Sequence, residues 1–231
     1  MTDEESSKEA ISYVKAHHRE LIDHFVRDIK PTKSPVSIFM AGSPGAGKTE
    51  FSKHLIDEIL GAQGKIVRID PDEIRFWLPQ YIAGKAELFQ GAVSVGVNKI
   101  HDYVKSKSIS FLLDGTFSEL DRARDNIQLS LKKNRAILIQ YVFQPPEVAW
   151  KFTQEREKVE GRNIQRNDFI RQFVNSRNVV STIKHEFGNK VQVDLIERNV
   201  SMDTYQFTFN IDNIDKYLIR KYSENDLDKL V

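Results

Sequence analysis

A glycine-rich segment with one lysine carries the clearest chemistry in the sequence. Residues 42–49 read GSPGAGKT and fit the pattern G-x-x-x-x-G-K-[ST], directly behind an apolar run. Glycines let backbone N–H groups approach phosphate oxygens, while the lysine reaches the β- and γ-phosphates and the threonine hydroxyl binds Mg²⁺. The alternative is a chance glycine-rich turn, and such loops serve kinases, ATPases and GTPases alike. The segment predicts a nucleotide-binding site, with Thr49 also as metal ligand, made of Gly42, Ser43, Pro44, Gly45, Ala46, Gly47, Lys48, Thr49 and Glu50.

Two acids follow the second apolar run, in the segment IDPDEIR at residues 69–75. At the end of a strand beside the phosphate loop, a carboxylate can accept the proton of an attacking hydroxyl during phosphoryl transfer to an alcohol. The alternative is a helix cap, a role that needs only one of Asp70 and Asp72. Position favours Asp72 as the general base.

A third acid, Asp114, stands in the segment LLDGT at residues 112–116, where another apolar run ends. Its carboxylate could hold a metal-bound water or the hydroxyl groups of a substrate. The alternative is a plain turn in which Gly115 adopts a positive φ.

Three arginines, Arg156, Arg162 and Arg166, lie close together further along the chain. Phosphoryl transfer spreads negative charge over the γ-phosphate oxygens, and arginines of the same chain can stabilise that charge. The alternative is a solvated helix face, because glutamates are interleaved with these arginines and would pair with them.

Alternating strand and helix patterns must position these residues. Apolar runs predict strands over 36–42, 65–70, 108–115, 135–143 and 191–198, and a motif follows each of the first three directly. Helical patterns cover 7–30, 49–60, 85–106 and 167–186, and further helices open at Ser118 and behind Pro145. This order predicts an α/β fold of the P-loop NTPase type, with three layers and a mostly parallel sheet of five or six strands. We expect one kinase domain over 1–231, with an N-terminal helix and linker (1–35), a core (36–200) and a C-terminal extension (201–231).

The composition excludes several classes of function. Lys and Arg total 34 against 33 Asp and Glu, so no overall field attracts nucleic acid or a membrane. The absence of cysteine excludes disulfides and thiol catalysis, and the six histidines show no metal-ligand spacing. Trp77, Trp150, Phe76 and Phe152 are expected in the core or in pocket walls. Without an apolar signal segment, a cytoplasmic protein is the expectation.

With these motifs in order, residues 10–198 resemble the zeta toxin family, P-loop kinases that phosphorylate a nucleotide-activated amino sugar. The resemblance rests on GSPGAGKT, IDPDEIR, LLDGT and the arginines of EREKVEGR. It implies that Lys48 and Thr49 hold the phosphates of ATP and Mg²⁺, and that Asp72 is the catalytic base. It also implies that Arg156 and Arg162 lie near the γ-phosphate.

The acceptor pocket departs from the family pattern. Asp114 and Thr116 match a pocket segment in which the best-known members have glutamate before Gly-Thr and an arginine shortly after it. Here Asp114 replaces the glutamate, and Phe117-Ser118-Glu119 follows. Asn98 corresponds to another pocket glutamate, and Arg75 is assigned to the same substrate site. The family implies UDP-N-acetylglucosamine as acceptor, while these changes leave room for a different one.

The main hypothesis is therefore an ATP-dependent kinase of a nucleotide sugar, with Lys48, Asp72, Arg156 and Arg162 as catalytic residues. The alternatives are a kinase of another small alcohol or nucleotide, a nucleotide-dependent switch without an acceptor, and an RNA kinase, which would need a basic groove. The family also implies a small helical antitoxin that covers the ATP pocket. Residues 7–30 could form such a lid, but an ordinary structural helix is favoured.

Overall fold

The computed structural model describes residues 2–60, 66–82, 84–160, 163–199 and 204–231. Six strands are present in these ranges: β1 Val36–Ala41, β2 Val67–Ile69, β3 Phe111–Leu113, β4 Ala136–Phe143, β5 Gln192–Asn199 and β6 Thr204–Thr208. The helices are α1 Asp3–Ala16, α2 His18–Val26, α3 Lys48–His54, α4 Pro71–Trp77, α5 Gln90–Ser106, α6 Leu120–Lys132, α7 Pro146–Glu160, α8 Arg166–Phe187 and α9 Glu224–Leu230. The predicted helix over 49–60 is α-helical only as far as His54 and continues as a π-helix, Leu55–Leu60.

The six strands form one sheet in the order β2-β3-β1-β4-β5-β6. The first five pair in parallel, and β6 runs antiparallel to β5. The prediction of an α/β fold with a mostly parallel sheet is confirmed. One detail was wrong: β3, and not β2, lies beside β1, so the acids that follow β2 are one strand further from the phosphate loop than expected.

Helices cover both faces of the sheet, as the apolar character of β1 requires. Along this strand Phe39 packs into a large cluster with residues of α1, α2, α5, α6 and α8. The next residue, Met40, packs into a second cluster with Phe51 of α3. Successive side chains of a strand point to opposite faces, so a strand that is buried on both must be apolar throughout. The carboxyl ends of the parallel strands are left open and receive the site.

The N-terminal segment is two helices, where the sequence pattern predicted one. The break falls at His17, whose ring stacks on Tyr13 at a centroid distance of 4.0 Å and whose Nδ1 lies 3.0 Å from the Tyr13 carbonyl oxygen. Ala10 and Val14 of α1 and Leu21 of α2 are fully buried in the larger core cluster. Their burial supports a structural role for this segment over a lid.

Candidate active site

The phosphate-loop segment leaves β1 and turns back under neighbouring backbone. A Cβ atom on Gly42 would lie 2.2 Å from the Val142 carbonyl oxygen, and one on Gly45 would lie 2.0 Å from that of Ala149. Both glycines also have positive φ, 134° and 71°. These positions therefore require glycine for space and for conformation. Ala149 and Arg156 both belong to α7, so the close contact at Gly45 also holds the helix that carries Arg156 against the loop.

Lys48 begins α3 and is buried beside the loop, with 9% of its surface exposed. Its Nζ donates to the carbonyl oxygens of Gly42, at 3.0 Å, and Ser43, at 2.6 Å. The ammonium group is thus held at the centre of the loop. Lys48 lines a cleft of about 210 Å³ together with Pro44, Gly45, Gly47, Thr49 and Glu50. The remaining predicted loop residues, Gly42, Ser43 and Ala46, are buried and do not line the cleft.

The two acids behind β2 have different roles. The Asp70 carboxylate accepts a hydrogen bond from the Asp72 backbone N–H at 2.9 Å, and Pro71 occupies the first turn of α4. Asp70 is therefore the helix cap. The Asp72 side chain projects into the cleft, where its Oδ1 accepts from Arg75 Nη1 and its Oδ2 from Arg156 Nη2, the latter at 3.3 Å.

Arg75 is a buried cation at the base of this arrangement, with 4% of its surface exposed. Besides contacting Asp72, it donates through Nη2 to Gln90 Oε1 at 3.2 Å. Its Nε is buried and has no hydrogen-bond partner among the described residues. Arg75 and Gln90 both line a second, larger cavity, so Arg75 connects that cavity to Asp72.

A second buried charge cluster surrounds Asp114, behind β3. Its Oδ2 accepts from Arg68 Nη2 at 2.6 Å and from Ser52 Oγ at 3.3 Å, and Arg68 also pairs with Asp70 at 2.8 Å. Burial raises the pKa of Asp70, and the Asp114 charge adds to this, although Arg68 opposes both. Sequence reasoning missed Arg68; the only signal was a charged residue inside an apolar strand.

The loop after β3 joins the two parts of the site. The Gly42 N–H donates to the Thr116 carbonyl oxygen at 3.1 Å, and the hydroxyl groups of Thr116 and Ser118 are hydrogen-bonded at 2.9 Å. The alternative of a positive φ at Gly115 was wrong. In this loop it is Phe117 that takes the left-handed conformation, with φ 55°. The turn is thereby placed two residues later, which leaves Asp114 and Thr116 facing the cavities.

Two cavities meet at this point. The cleft at the phosphate loop opens into a cavity of about 850 Å³ between α5, α6 and the start of α8, and both are lined by Asp114, Thr116 and Gln172. Cavities of about 300–1,000 Å³ are typical of small-molecule sites. The larger cavity therefore has room for a second substrate beside a bound nucleotide.

Two other predicted residues, Asn98 and Arg166, lie away from the site. Asn98 is exposed on α5 and lines neither cavity; the side of α5 that faces the larger one carries Gln90, Ser94 and Val97. Arg162 lies outside the described residues. Arg166 instead binds the C-terminal segment, donating to the Val231 and Asp228 carbonyl oxygens.

The cleft at the phosphate loop is also lined by residues that sequence reasoning did not assign to nucleotide binding. Arg198, the penultimate residue of β5, and Phe152 of α7 both line it, and this phenylalanine thus has the pocket-wall position that the sequence predicted. Phe76, for which a core or pocket-wall place was predicted, is instead 62% exposed. Among the described residues, His, Asp and Glu side chains form no group that could hold a metal ion. In that same part of the chain, no helix is both long and apolar enough to cross a membrane.

Comparison with known proteins identifies the family of this chain. The zeta toxin family profile matches residues 22–208. Toxin PezT of Streptococcus pneumoniae is 27% identical over an alignment of 131 residues. The alignment covers 54% of this chain and 51% of PezT, so the match spans about half of that relative.

Solved structures share the fold along most of the chain. A structure of the PezAT chromosomal toxin–antitoxin system of Streptococcus pneumoniae has a TM-score of 0.69 at 19% identity, covering 94% of this chain and 93% of that chain. The AvrRxo1-ORF1:-ORF2 complex with ATP has a TM-score of 0.63 at 14% identity, covering 93% of this chain and 71% of that chain. Since the family profile covers most of the sequence, and the fold and phosphate loop agree with it, this chain belongs to the zeta toxin family of kinase-like P-loop proteins.

Proposed function

We propose that this protein transfers the γ-phosphoryl group of ATP to a hydroxyl group of a nucleotide sugar such as UDP-N-acetylglucosamine. The observation that carries the proposal is the position of Asp72. Its carboxylate contacts Arg156, which lines the cleft at the phosphate loop, and Arg75, which lines the larger cavity. An acid between a donor site and an acceptor site suits proton removal from an attacking hydroxyl.

The donor half would work by positioning and charge. Backbone N–H groups of the phosphate loop would surround the β- and γ-phosphates, and Lys48 would turn its ammonium from the Gly42 and Ser43 carbonyl oxygens toward them. Arg156 would move from Asp72 to the γ-phosphate, with Arg162 as a second cation. Mg²⁺, which the Thr49 hydroxyl would hold, supplies neutralisation of phosphate charge when bound. That AvrRxo1-ORF1:-ORF2 was solved with ATP supports a nucleotide at this loop.

The acceptor half would orient the sugar. Asp114 and Thr116, at the junction of the cavities, are placed to receive substrate hydroxyl groups. Arg75, whose buried Nε has no hydrogen-bond partner in the described part of the chain, would donate to an acceptor oxygen while holding Asp72. The volume of about 850 Å³ suits a molecule as large as a nucleotide sugar. Asn98 has no part in this proposal, because it lines neither cavity.

We also propose a small helical antitoxin as partner, covering the nucleotide cleft. The support is the fold shared with a protein of the PezAT toxin–antitoxin system. Copurification with the product of a neighbouring gene, competed by ATP, is the expected result; an antitoxin that binds equally well with the cleft saturated by ATP would contradict this placement.

The kinase proposal is tested by incubating the protein with ATP, Mg²⁺ and a panel of sugar nucleotides, small alcohols and short RNAs. The expected result is the mass gain of one phosphate on a sugar nucleotide, with ADP release that depends on that acceptor. Arg156→Gln should abolish the gain, and Asn98→Ala, a matched substitution outside the cavities, should not change it.

Other outcomes would contradict the proposal in distinct ways. Phosphate gain on another small molecule or on RNA would keep the kinase and replace its acceptor. ATP binding without acceptor-stimulated ADP release would favour a nucleotide-dependent switch.

A further inference from the structure

The nucleotide cleft is lined by two flat side chains that the roles above leave unused. Arg198 and Phe152 line the cleft with Gly47, Thr49 and Glu50, but neither lines the larger cavity. They therefore belong to the donor end of the site. A triphosphate that runs along the loop with its γ-phosphate toward the acceptor must place the rest of its nucleotide on the side away from the larger cavity, whose lining includes neither Arg198 nor Phe152.

Arg198 is held in place from three sides. Its guanidinium carbon lies 5.7 Å from the ring centroid of Phe152 and 5.8 Å from that of Tyr205, its partner across β5 and β6. Below it, a Cβ atom added to Gly47 would lie 3.0 Å from Arg198 Nη1. The guanidinium thus lies against the backbone of the phosphate loop and beside two aromatic rings.

These surfaces match the chemistry of a nucleobase. Aromatic rings and guanidinium planes stack on the π-faces of bases, and removing such a stacking partner weakens binding by about 1–3 kcal/mol. That range corresponds to about 5- to 150-fold in the dissociation constant. A phosphate subsite, by contrast, would need no aromatic ring beside the cation.

We propose that Arg198 and Phe152 form the subsite for the base of the donor nucleotide, a purine ring that stacks against them while its phosphates occupy the loop. This inference rests on the proposed function only for the identity of the donor. The strand β5 would thereby supply the base contact, and β1 the phosphate contact.

Two other roles for Arg198 make different predictions. It could bind a phosphate oxygen, or it could merely support the loop at Gly47. In either case its loss would weaken every ligand that carries the phosphates, with or without a base.

The experiment is direct binding, by calorimetry in Mg²⁺ without any acceptor, of ATP and of inorganic tripolyphosphate. Arg198→Leu and Phe152→Leu should each weaken ATP by about 5-fold or more and leave tripolyphosphate within about 2-fold of wild type. Phe152→Tyr, which keeps the ring, should bind ATP normally. Arg220→Leu is the matched control, because Arg220 lies over the Tyr222 ring at 4.5 Å but lines neither cavity.

The outcomes separate this inference from the kinase proposal. Equal weakening of ATP and tripolyphosphate, or no weakening of ATP in either leucine variant, would overturn the base subsite. Selective loss of ATP binding supports it even if no acceptor is ever phosphorylated, since the measurement needs no phosphoryl transfer. The Phe152 variants keep the test valid if Arg198→Leu does not fold.

Discussion

Replacing Asp72 by asparagine tests both the chemistry and the packing of the site. The Asp72 side chain is 16% exposed and contacts Arg75, whose side chain is 5% exposed, and Arg156, at 33%. Removing the charge leaves the Arg75 guanidinium buried without its carboxylate. Breaking a buried pair in this way costs about 3–5 kcal/mol. Because asparagine keeps one acceptor oxygen, we expect the lower end, about 3 kcal/mol of unfolding free energy.

The loss of activity must therefore be separated from the loss of stability. We would compare wild type, Asp72→Asn, Arg75→Met and the double variant by urea unfolding, ATP binding and turnover. The double variant should lose less unfolding free energy than the two single variants together, by about 0.5–3 kcal/mol, because it leaves no unpaired buried charge. ATP affinity should change little. Turnover should fall about 10²- to 10⁴-fold in both proteins that lack Asp72.

Two results would refute this reasoning. If Asp72→Asn retains turnover within about 10-fold of wild type under conditions where it is folded, Asp72 is not the base. If the unfolding free energies of the single variants are additive, the contact between Asp72 and Arg75 contributes nothing measurable.

Three further substitutions test other parts of the structure. Gly45→Ala should weaken ATP binding at least about 10-fold, because its Cβ would lie 2.0 Å from the Ala149 carbonyl oxygen. Gly188 also has a positive φ but no atom near its Cβ position, so Gly188→Ala controls for backbone strain. Equal losses of ATP affinity in the two variants would contradict the clash. Burial lowers the pKa of His101 to about 3, with Lys105 adding to the shift. The unfolded chain takes up the proton near pH 6.5 and the native state does not. Between pH 7 and pH 5, wild type should therefore lose about 2 kcal/mol more unfolding free energy than His101→Phe, measured by chemical unfolding. Parallel pH profiles of the two proteins would refute a buried neutral imidazole. Arg68→Met should lower the unfolding free energy by about 3 kcal/mol, because it leaves two buried acids together. Adding Asp70→Asn should restore part of that loss. If the second substitution restores nothing, the ion-pair cluster is contradicted.

The sequence predicted the parts of the site whose chemistry is local. The phosphate loop occupies eight consecutive positions, so its glycines and Lys48 can be recognised without knowing the fold. In the segment IDPDEIR, position and the family resemblance favoured Asp72 as the base, and the hydrogen bond from the Asp72 N–H to Asp70 then identified Asp70 as the cap. Helix and strand periods likewise indicated an α/β sheet, because they too depend on neighbouring residues.

The contacts that the sequence did not predict join distant segments. Arg68 meets Asp114 only because β2 pairs with β3, and Arg198 reaches Gly47 only because β5 lies in the same sheet as β1. The local pattern marks Arg68 only as a charge inside an apolar strand, and it indicates no partner for either arginine. Asn98 shows the converse error, since correspondence in sequence placed it in the pocket and the rotation of α5 directs Gln90, Ser94 and Val97 there.

The position of β1 within the sheet has a consequence for synthesis on the ribosome. Val36 pairs with Ala136, and β1 is flanked by β3 and β4, both made much later than the loop that follows β1. A nascent chain that contains the phosphate loop alone has no partner strands to hold it, since non-local pairing waits for the later segments. With Arg198 later still, the nucleotide cleft can be assembled only when most of the chain has been made. Incomplete translation products of a protein in this family would therefore lack a working cleft.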